Sequence, residues 1–230
     1  LAIDGKPRRL SFRVDIGAYE TVPSFLVVDL PAGATEGDGV LTNAGSVSIG
    51  EAPASNLALI SVPGEYAAAE AAKALARGLN VMLFSDNVAL EDEVALKRRA
   101  AARGLLVMGP DCGTAIIDGV PLGFANRVRR GPIGCVAASG TGLQQVTTLV
   151  DRLGLGVSQA IGTGGRDLSE AVGGVTMLAG LKLLAADRDT KVIVLISKPP
   201  APAVAAKVIA EAAKARKPVV VNFIGADPAV

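Results

Sequence analysis

The feature that most constrains the fold is a regular alternation of short apolar runs with helical segments from residue 56 onward. The apolar runs are continuous in Val, Leu and Ile, which indicates parallel strands covered on both faces. In the first part of the alternation, each helical segment ends on basic residues followed by glycine, the pattern of a helix closed by its C-terminal cap. The sequence therefore predicts an α/β fold built on parallel sheets.

The alternation occurs twice along the chain. The first stretch, residues 56–128, predicts strands at 57–62, 80–85 and 105–109 and helices at 65–78 and 90–104. The second, residues 129–230, predicts four strands (133–138, 156–161, 191–197, 218–224) and three helices (141–153, 169–186, 202–216). The Gly- and Pro-rich segment 110–132 between them is interpreted as the connection to the second unit.

Residues 1–55 do not share this pattern. They contain short β-like pieces and turns and no helical periodicity. Two interpretations are open, an extension of unrelated origin and an N-terminal segment that supplies edge strands. If the segment is unrelated, limited proteolysis near 50–56 should leave a stable remainder. No chemistry is assigned to this β-like segment.

Charge and residue usage exclude several classes of function. The chain has 23 basic and 22 acidic residues, so a net charge of +1 gives no electrostatic basis for binding nucleic acid or a membrane surface. No apolar run approaches the ~20 residues of a membrane span. Two cysteines and no leader-like pattern fit a reducing compartment, and we expect a cytoplasmic protein. The absence of histidine excludes His-ligated metal sites and Ser–His pairs from these residues, and no metal site is predicted.

The ends of the predicted strands in the second unit are the best candidates for a site. In open parallel sheets, ligands bind beyond the carboxyl ends of the strands. Four segments follow the strands there: ASGTG (138–142), GTGGRD (162–167), SKPPAP (197–202) and GADP (225–228). We expect them to converge on one edge of the sheet.

The first of these segments opens a predicted helix with Ser139, Gly140, Thr141 and Gly142. The first amides of a helix have no internal partner and carry partial positive charge, so they favour a phosphate or a carboxylate. The glycines would let such a ligand approach the backbone closely. The alternative is that Ser139 or Thr141 simply caps the helix.

The second segment contains Thr163, Gly164 and Gly165, a further amide-rich turn, followed by Arg166 and Asp167. The Arg166 guanidinium could bind two oxygens of an anion at once. Asp167 could either hold that arginine or cap the next helix. The alternative interpretation is a glycine-rich turn with a surface arginine.

The third segment places Lys198 at a strand end, followed by Pro199 and Pro200, which fix the course of the loop. Lys198 would add a cation to the same edge. The alternative is a solvated surface lysine, the usual state of this residue.

In the first unit, Ser85, Asp86 and Asn87 resemble an Asx-type turn in which Asn87 could hydrogen-bond a ligand. Cys112 lies among glycines, and its thiol is expected to be accessible. A catalytic role for Cys112 is disfavoured because no activating base is visible nearby. Cys135 lies in an apolar run and is expected in the core.

Taken in order, these segments closely resemble the FdrA family, which is related to the α subunit of succinyl-CoA synthetase. The resemblance covers about residues 56–230 and not 1–55; it rests on ALISVPGEYAA, VMLFSDNVALEDEVALKRRA, GLLVMGPDCGTAIIDGVPLGFAN, GCVAASGTGLQQV, AIGTGGRDLSEAVGG and VIVLISKPPAP. It implies a Rossmann-like CoA-binding-type domain over 56–128. A flavodoxin-like ligase-type domain would follow over 129–230.

The resemblance also assigns residues to sites. Ser139, Gly140 and Thr141 match the turn that holds a phosphate in the synthetases, and Gly164 and Gly165 match the paired glycines of the neighbouring loop. The residues that match the lining of the CoA pocket are Val62, Pro63, Ser85, Asp86 and Asn87. GPDCGT resembles the Gly-Pro-Asn-Cys motif of the synthetases, with Asp111 in place of the asparagine and Cys112 retained.

Three departures shape the expected function. Lys198 stands where the synthetases carry a glutamate that holds a phosphohistidine, and both that histidine and the Gly-rich first turn of the CoA-binding domain are missing. A lysine in place of that glutamate suits a site for a free phosphate. The FdrA family is also linked to a multi-subunit oxamate carbamoyltransferase. The resemblance therefore implies an enzyme subunit that handles an acyl or carbamoyl phosphate with partner subunits, with Arg166 and Lys198 as its catalytic residues.

Two alternatives stay open. One is acyl-CoA ligase activity that uses a histidine supplied from elsewhere. The other is a non-catalytic module that binds CoA or phosphate.

Overall fold

The structure is a computed structural model that describes residues 11–12, 28–29 and 56–225. The chain divides into two units, residues 1–110 and 111–230. Of the N-terminal segment 1–55, the described residues form one short antiparallel pair, β1 (Ser11–Phe12) with β2 (Val28–Asp29). The other residues of that segment, and the predictions made for them, lie outside the described part.

The first unit contains a parallel sheet of three strands, and two helices. The strands are β3 (Leu57–Ile60), β4 (Asn80–Leu83) and β5 (Val107–Met108), in the order β3-β4-β5, and the helices are α1 (Gly64–Ala76) and α2 (Leu90–Ala101). Three fully buried alanines of α1, Ala67, Ala71 and Ala74, share the core with the strand residues Ile60 and Val81. Small side chains on this helix face allow close packing on the sheet.

Helix α2 also carries a buried ion pair. Lys97 Nζ lies 2.9 Å from Glu93 Oε1, and the side chains are 0% and 1% exposed. Burying such a pair costs desolvation free energy that the mutual attraction of the charges must offset.

The second unit is built on one sheet of six strands in the order β11-β10-β8-β9-β6-β7. The strands are β6 (Thr114–Ile117), β7 (Val120–Gly123), β8 (Arg130–Ala137), β9 (Val157–Gly162), β10 (Val192–Ser197) and β11 (Val219–Phe223). The helices are α3 (Gly140–Arg152), α4 (Val175–Ala186) and α5 (Pro202–Ala212). Strands β8 to β11 are parallel to their neighbours among themselves, whereas β6 pairs antiparallel with both β9 and β7. The predicted α/β fold with parallel sheets is confirmed.

Two segments differ from the sequence prediction. The stretch 110–132, predicted as a connection, contributes the hairpin β6–β7 to the second sheet, and the two compact units of the structure meet at 110/111. The predicted domain boundary at 128/129 stays a prediction. The predicted helix at 169–186 begins only at Val175, because Gly173 and Gly174 adopt φ values of 75° and 73° that interrupt a right-handed helix.

Helices cover both faces of this sheet. Successive residues of a strand point to opposite faces. On β8, Cys135 and Ala137 share a core cluster with Leu143 of α3, whereas a Cβ on Gly180 of α4 would lie 3.0 Å from Val136 Cγ1. The loops after the adjacent strands β8 and β9 therefore lead to opposite faces, which opens a crevice at their carboxyl ends. Over the described residues, no helix has the length and apolar character that crossing a membrane requires.

Candidate functional site

Three loops start side by side at the carboxyl ends of β8, β9 and β10. Ala137 pairs with Gly162 on one side and with Ile196 on the other. Neighbouring strands lie about 4.8 Å apart, so the loops that follow begin within about 10 Å of one another. We call Ser139–Gly142, Thr163–Asp167 and Lys198 the carboxyl edge. In the fourth predicted segment, 225–228, only Gly225 is described.

The first loop leads into a capped helix. Ser139 adopts extended φ/ψ angles, and its Oγ accepts a hydrogen bond from the Gly142 amide at 3.2 Å. Ser139 is therefore the N-cap of α3, as one of the two interpretations held. The amides of Gly140 and Thr141 occupy the first two helical positions, which have no acceptor within the helix. Both residues are exposed, so their amides can meet a ligand.

Glycine is required at the third helical position. A Cβ on Gly142 would lie 2.9 Å from Ser139 Oγ and 3.2 Å from Ile196 Cγ2. A larger residue there would displace the cap or the end of β10. The α3 N-terminus thus sits directly against the neighbouring strand end.

The second loop mixes fixed and exposed residues. Thr163 is fully buried; its amide donates to Ala137 O at 2.8 Å and its hydroxyl donates to Gly164 O at 3.2 Å. Gly165 and Arg166, in contrast, are exposed. Thr163 therefore anchors the loop to β8, and the arginine extends from a fixed base.

Asp167 caps α4 from a distance. Its carboxylate is buried, and Oδ1 and Oδ2 accept from the amides of Thr176 and Met177 at 3.2 and 2.8 Å. These are the second and third positions of α4, the amides that an N-cap side chain normally binds. Asp167 therefore caps the next helix, which is one of the two roles predicted for it. Because these α4 amides are occupied, α3 offers the more open helix start at the carboxyl edge.

The third loop brings Lys198 to the same edge. Lys198 is exposed and follows the buried Ser197 at the end of β10. The Ala201 amide donates to Leu168 O at 3.0 Å, which ties this loop to the loop after β9. Two cationic side chains, Arg166 and Lys198, therefore extend from loops that are joined to each other.

The residues predicted for the CoA pocket fall in both units. In the first unit, the Val62 amide donates to the buried Ser85 Oγ at 3.0 Å, and a Cβ on Gly64 would lie 2.6 Å from Asn87 O. The loops after β3 and β4 are therefore packed against each other. Their exposed residues are Pro63, Asp86 and Asn87.

Asp111 and Cys112 belong to the second unit. Asp111 has φ = 56°, in the left-handed region that Asp and Asn tolerate, which explains why either residue suits this motif. The Cys112 thiol is 3% exposed and donates to Thr114 O at 3.6 Å, so the expectation of an accessible thiol is wrong. The thiol can pack here because Gly162 has no side chain. A Cβ on Gly162 would lie 2.6 Å from Cys112 Sγ.

Cys135 lies in the core, as predicted. It is fully buried on β8, and burial raises the pKa of its thiol to about 12. Desolvation disfavours the charged thiolate, so Cys135 is not a nucleophile at neutral pH.

Two polar residues next to this edge, Thr114 and Gln144, were not predicted from the sequence. The Gln144 Nε2 group donates to Thr114 Oγ1 at 3.0 Å, and Thr114 is 2% exposed. A Cβ on Gly140 would lie 3.6 Å from the same hydroxyl oxygen. In the sequence, the only signal for this contact was the spacing of Gly140 and Gln144, which lie four residues apart on one helix face. Their partner Thr114 comes from β6, and its position depends on the long-range pairing of β6 with β9.

Part of the second unit is similar to a known protein family. The family model described as CoA binding domain matches residues 129–225. The matched residues are those for which the sequence analysis predicted a ligase-type domain.

Curated proteins similar to the chain include subunits of CoA ligases. The chain is 62% identical over 172 residues to the uncharacterized protein YahF of Escherichia coli (strain K12), covering 75% of the chain and 33% of that protein. It is 31% identical to the succinate–CoA ligase [ADP-forming] subunit alpha 2 of Archaeoglobus fulgidus, covering 62% of the chain and 50% of the subunit. The chain thus spans a third to a half of the length of these relatives.

Solved structures share the fold at low identity. An apo acetyl-coenzyme A synthetase 1 of Ca. Korarchaeum cryptofilum aligns with a TM-score of 0.60 at 21% identity, covering 74% of the chain and 38% of that protein. ATP citrate lyase of Methanothrix soehngenii, in complex with citrate and coenzyme A, aligns with a TM-score of 0.66 at 18% identity, covering 76% and 30%. In sum, the chain has an α/β fold shared with CoA-ligase-type proteins and is similar to the α subunits of succinate–CoA ligases.

Proposed function

We propose that the chain is an α-type subunit of an acyl-CoA-ligase-like enzyme and that its second unit binds the phosphoryl group of an acyl phosphate at the carboxyl edge. The observation that carries this proposal is the convergence of three adjacent strand ends. They bring the open amides of Gly140 and Thr141 and the cations of Arg166 and Lys198 to one edge of the sheet.

The chemistry of an acyl phosphate fits these groups. When the sulfur of CoA attacks the acyl carbon, the bond from that carbon to the phosphate oxygen breaks and negative charge develops on the departing phosphate. Backbone amides and a guanidinium fixed before the reaction stabilise such charge without reorganisation. The thiol proton leaves with solvent or phosphate, and the products are a thioester and inorganic phosphate.

CoA itself would bind through the first-unit loops that contain Val62, Pro63 and residues 85–87. These loops are packed together, and Pro63, Asp86 and Asn87 remain exposed for a ligand. The match to a CoA-binding domain over residues 129–225 supports CoA as a ligand and offers the second unit as the alternative location. Asp111 and Cys112, which were also predicted for the pocket, belong to the second unit.

The relatives support a subunit rather than a complete enzyme. Those named as ligases are named as subunits, and the chain spans half the length of the Archaeoglobus relative. The 230 residues contain no histidine, so a phosphohistidine, if the cycle uses one, would come from elsewhere. We expect residues outside these 230, including partner subunits, to complete the catalytic cycle.

Carbamoyl phosphate is the second candidate substrate. Lys198, where a glutamate would hold an imidazolium, is exposed and forms no ion pair with another described residue. A cation at this position favours a free phosphate dianion over a protein-bound phosphohistidine. Carbamoyl phosphate is an acyl phosphate with an amino group, so the same edge would hold it for transfer to an acceptor such as oxamate.

Calorimetry with the whole chain tests the proposal. We expect acetyl phosphate, carbamoyl phosphate and inorganic phosphate to compete for one site and CoA to bind without displacing phosphate. Transfer of the acetyl group to CoA, or of the carbamoyl group to oxamate, would be assayed after addition of partner subunits. The transfer that is observed would distinguish acetyl phosphate from carbamoyl phosphate as the substrate.

Arg166→Ala should weaken phosphate binding by about 1.5–3 kcal/mol, the range for a hydrogen bond to a charged group. Arg188→Ala is the matched control, since Arg188 is exposed just before β10, at the opposite edge of the sheet. Equal phosphate affinity in the Arg166 variant and the unsubstituted chain would exclude the assigned role of Arg166. Failure of any phosphate to bind would exclude the carboxyl edge as the site.

A further inference from the structure

We infer that Thr114, on the antiparallel strand β6, donates a hydrogen bond to the anion bound at the start of α3. This inference rests on the proposed anion site and adds a residue that neither the sequence analysis nor the comparisons assign. It makes the site a composite of the parallel strands and of the hairpin that precedes them.

The position of Thr114 is fixed by the backbone. Thr114 pairs with Gly123 on β7, and its carbonyl oxygen lies against Gly162 so closely that a Cβ there would overlap it. The Cys112 thiol fills the adjacent space against the same glycine. The start of β6 is therefore held at the carboxyl end of β9, next to the crevice between β8 and β9.

The hydrogen-bonding state of the hydroxyl points to a ligand. A threonine hydroxyl has one donor and two acceptor positions. The Thr114 oxygen accepts from Gln144 Nε2 at 3.0 Å, and no described residue accepts the hydroxyl proton. Thr114 is 2% exposed, so an unpaired donor there would be costly in the absence of a ligand.

The hydroxyl faces the first residue of α3. The Cβ position of Gly140 lies 3.6 Å from Thr114 Oγ1, and Gly140 has no side chain to fill the space between them. An oxygen atom bound to the amides of Gly140 and Thr141 is therefore within reach of this hydroxyl. Because Gln144 Nε2 donates to Thr114 Oγ1, the hydroxyl proton of Thr114 points away from Gln144 and toward the oxygen of the bound anion.

Binding of inorganic phosphate to four variants of the whole chain tests the inference. Thr114→Val keeps the shape of the side chain and removes the donor, and we expect about tenfold weaker phosphate binding. Thr114→Ser keeps the donor and should bind within about twofold of the unsubstituted chain. Gln144→Met removes the interaction that orients Thr114 but leaves its donor, so a smaller loss than in Thr114→Val is expected. Arg166→Ala reports on the anion site itself.

The outcomes separate the donor from the site. Phosphate binding that persists unchanged in Thr114→Val but falls in Arg166→Ala would overturn the role of Thr114 and leave the anion site in place. Equal losses in Gln144→Met and Thr114→Val would also overturn it, because they would indicate that the pair only fixes α3. Absence of phosphate binding in the unsubstituted chain would overturn both. Far-ultraviolet circular dichroism and the unfolding midpoint of each variant show whether a loss arises from misfolding.

Discussion

At the scale of single residues, substitution of two glycines near the carboxyl edge should have opposite effects on stability. A Cβ on Gly162 would overlap Thr114 O and lie 2.6 Å from Cys112 Sγ, whereas a Cβ on Gly165 meets nothing within 4 Å. Gly162→Ala should destabilise the protein by about 2–3 kcal/mol, because backbone on two strands must shift. Gly165→Ala should leave stability unchanged or raise it by up to about 1 kcal/mol through the unfolded state.

Urea unfolding of the two glycine variants measures this difference. If Gly162→Ala unfolds at the same urea concentration as the unsubstituted chain, the close approach of β6 to β9 at Gly162 is not rigid. The Gly165 variant also shows whether a side chain on that loop obstructs phosphate binding, since its stability effect is small.

Asp167 offers a second test of stability. Its buried carboxylate accepts from two amides of α4, so Asp167→Ala should cost about 2 kcal/mol or more. Asp189→Ala is the matched control; Asp189 forms an exposed ion pair with Arg130 at 2.8 Å, and such pairs contribute at most about 1 kcal/mol. Guanidinium unfolding compares the two. Equal costs would contradict the assignment of Asp167 as the cap of α4.

The Cys135 thiol makes stability depend on alkaline pH. Burial raises its pKa from 9.0 to about 12 in the folded state, so the folded chain retains the thiol proton where the unfolded chain loses it. The contribution of the Cys135 thiol to the free energy of unfolding is complete below pH 9 and is lost as pH rises through 12. The free energy of unfolding falls by no more than about 1.4 kcal/mol per pH unit in this range. The difference in unfolding free energy between Cys135→Ala and the unsubstituted chain should therefore shrink from pH 8 to pH 10.5. A constant difference would contradict this.

At the scale of elements, the strands and helices of the second unit were predictable where local pattern decides them. The predicted strand 191–197 and the observed β10 (Val192–Ser197) differ by one residue, because an apolar run bounded by polar residues sets both ends. The start of α4 was not predictable, since it depends on glycines in left-handed conformation and on a cap nine residues upstream. The role of the hairpin β6–β7 was missed because pairing with β9 joins residues far apart in sequence.

The same limit applies to the site. Ser139, Arg166 and Lys198 lie in the loops that follow β8, β9 and β10, so the rule for parallel sheets brings these loops to one edge. Thr114 lies at the start of an antiparallel strand, and no local pattern links it to α3. The burial of Glu93 and Lys97 could also not be predicted from the sequence, because charged residues on a helix are ordinarily solvated.

The buried pair on α2 provides a test at this scale. Lys97→Met leaves the Glu93 carboxylate buried without its cation, and we expect a loss of about 3–5 kcal/mol. The double variant Glu93→Leu/Lys97→Met should lose less than the single variant, because it buries no uncompensated charge. Thermal unfolding measures both. A double variant that is less stable than Lys97→Met would contradict this expectation.

At the scale of the whole molecule, ligand binding should stabilise the chain by mass action. Acetyl phosphate at a hundred times its dissociation constant should add about 2.7 kcal/mol to the free energy of unfolding. Differential scanning fluorimetry with increasing ligand measures the shift, and Arg166→Ala should require a higher ligand concentration for the same shift. Identical titrations for both proteins would exclude a contact between Arg166 and the phosphate.

The strand order of the second sheet has a consequence for dissecting the protein. A fragment that began at residue 129, where the match to the CoA-binding domain starts, would lack the hairpin β6–β7 and expose the edge of β9. All six residues of β9 are buried, and an uncovered apolar strand edge is a template for aggregation. A fragment that begins at Asp111 keeps that edge paired and retains Thr114. Solubility on expression should therefore change sharply between these two start points, although neither removes any part of the four parallel strands.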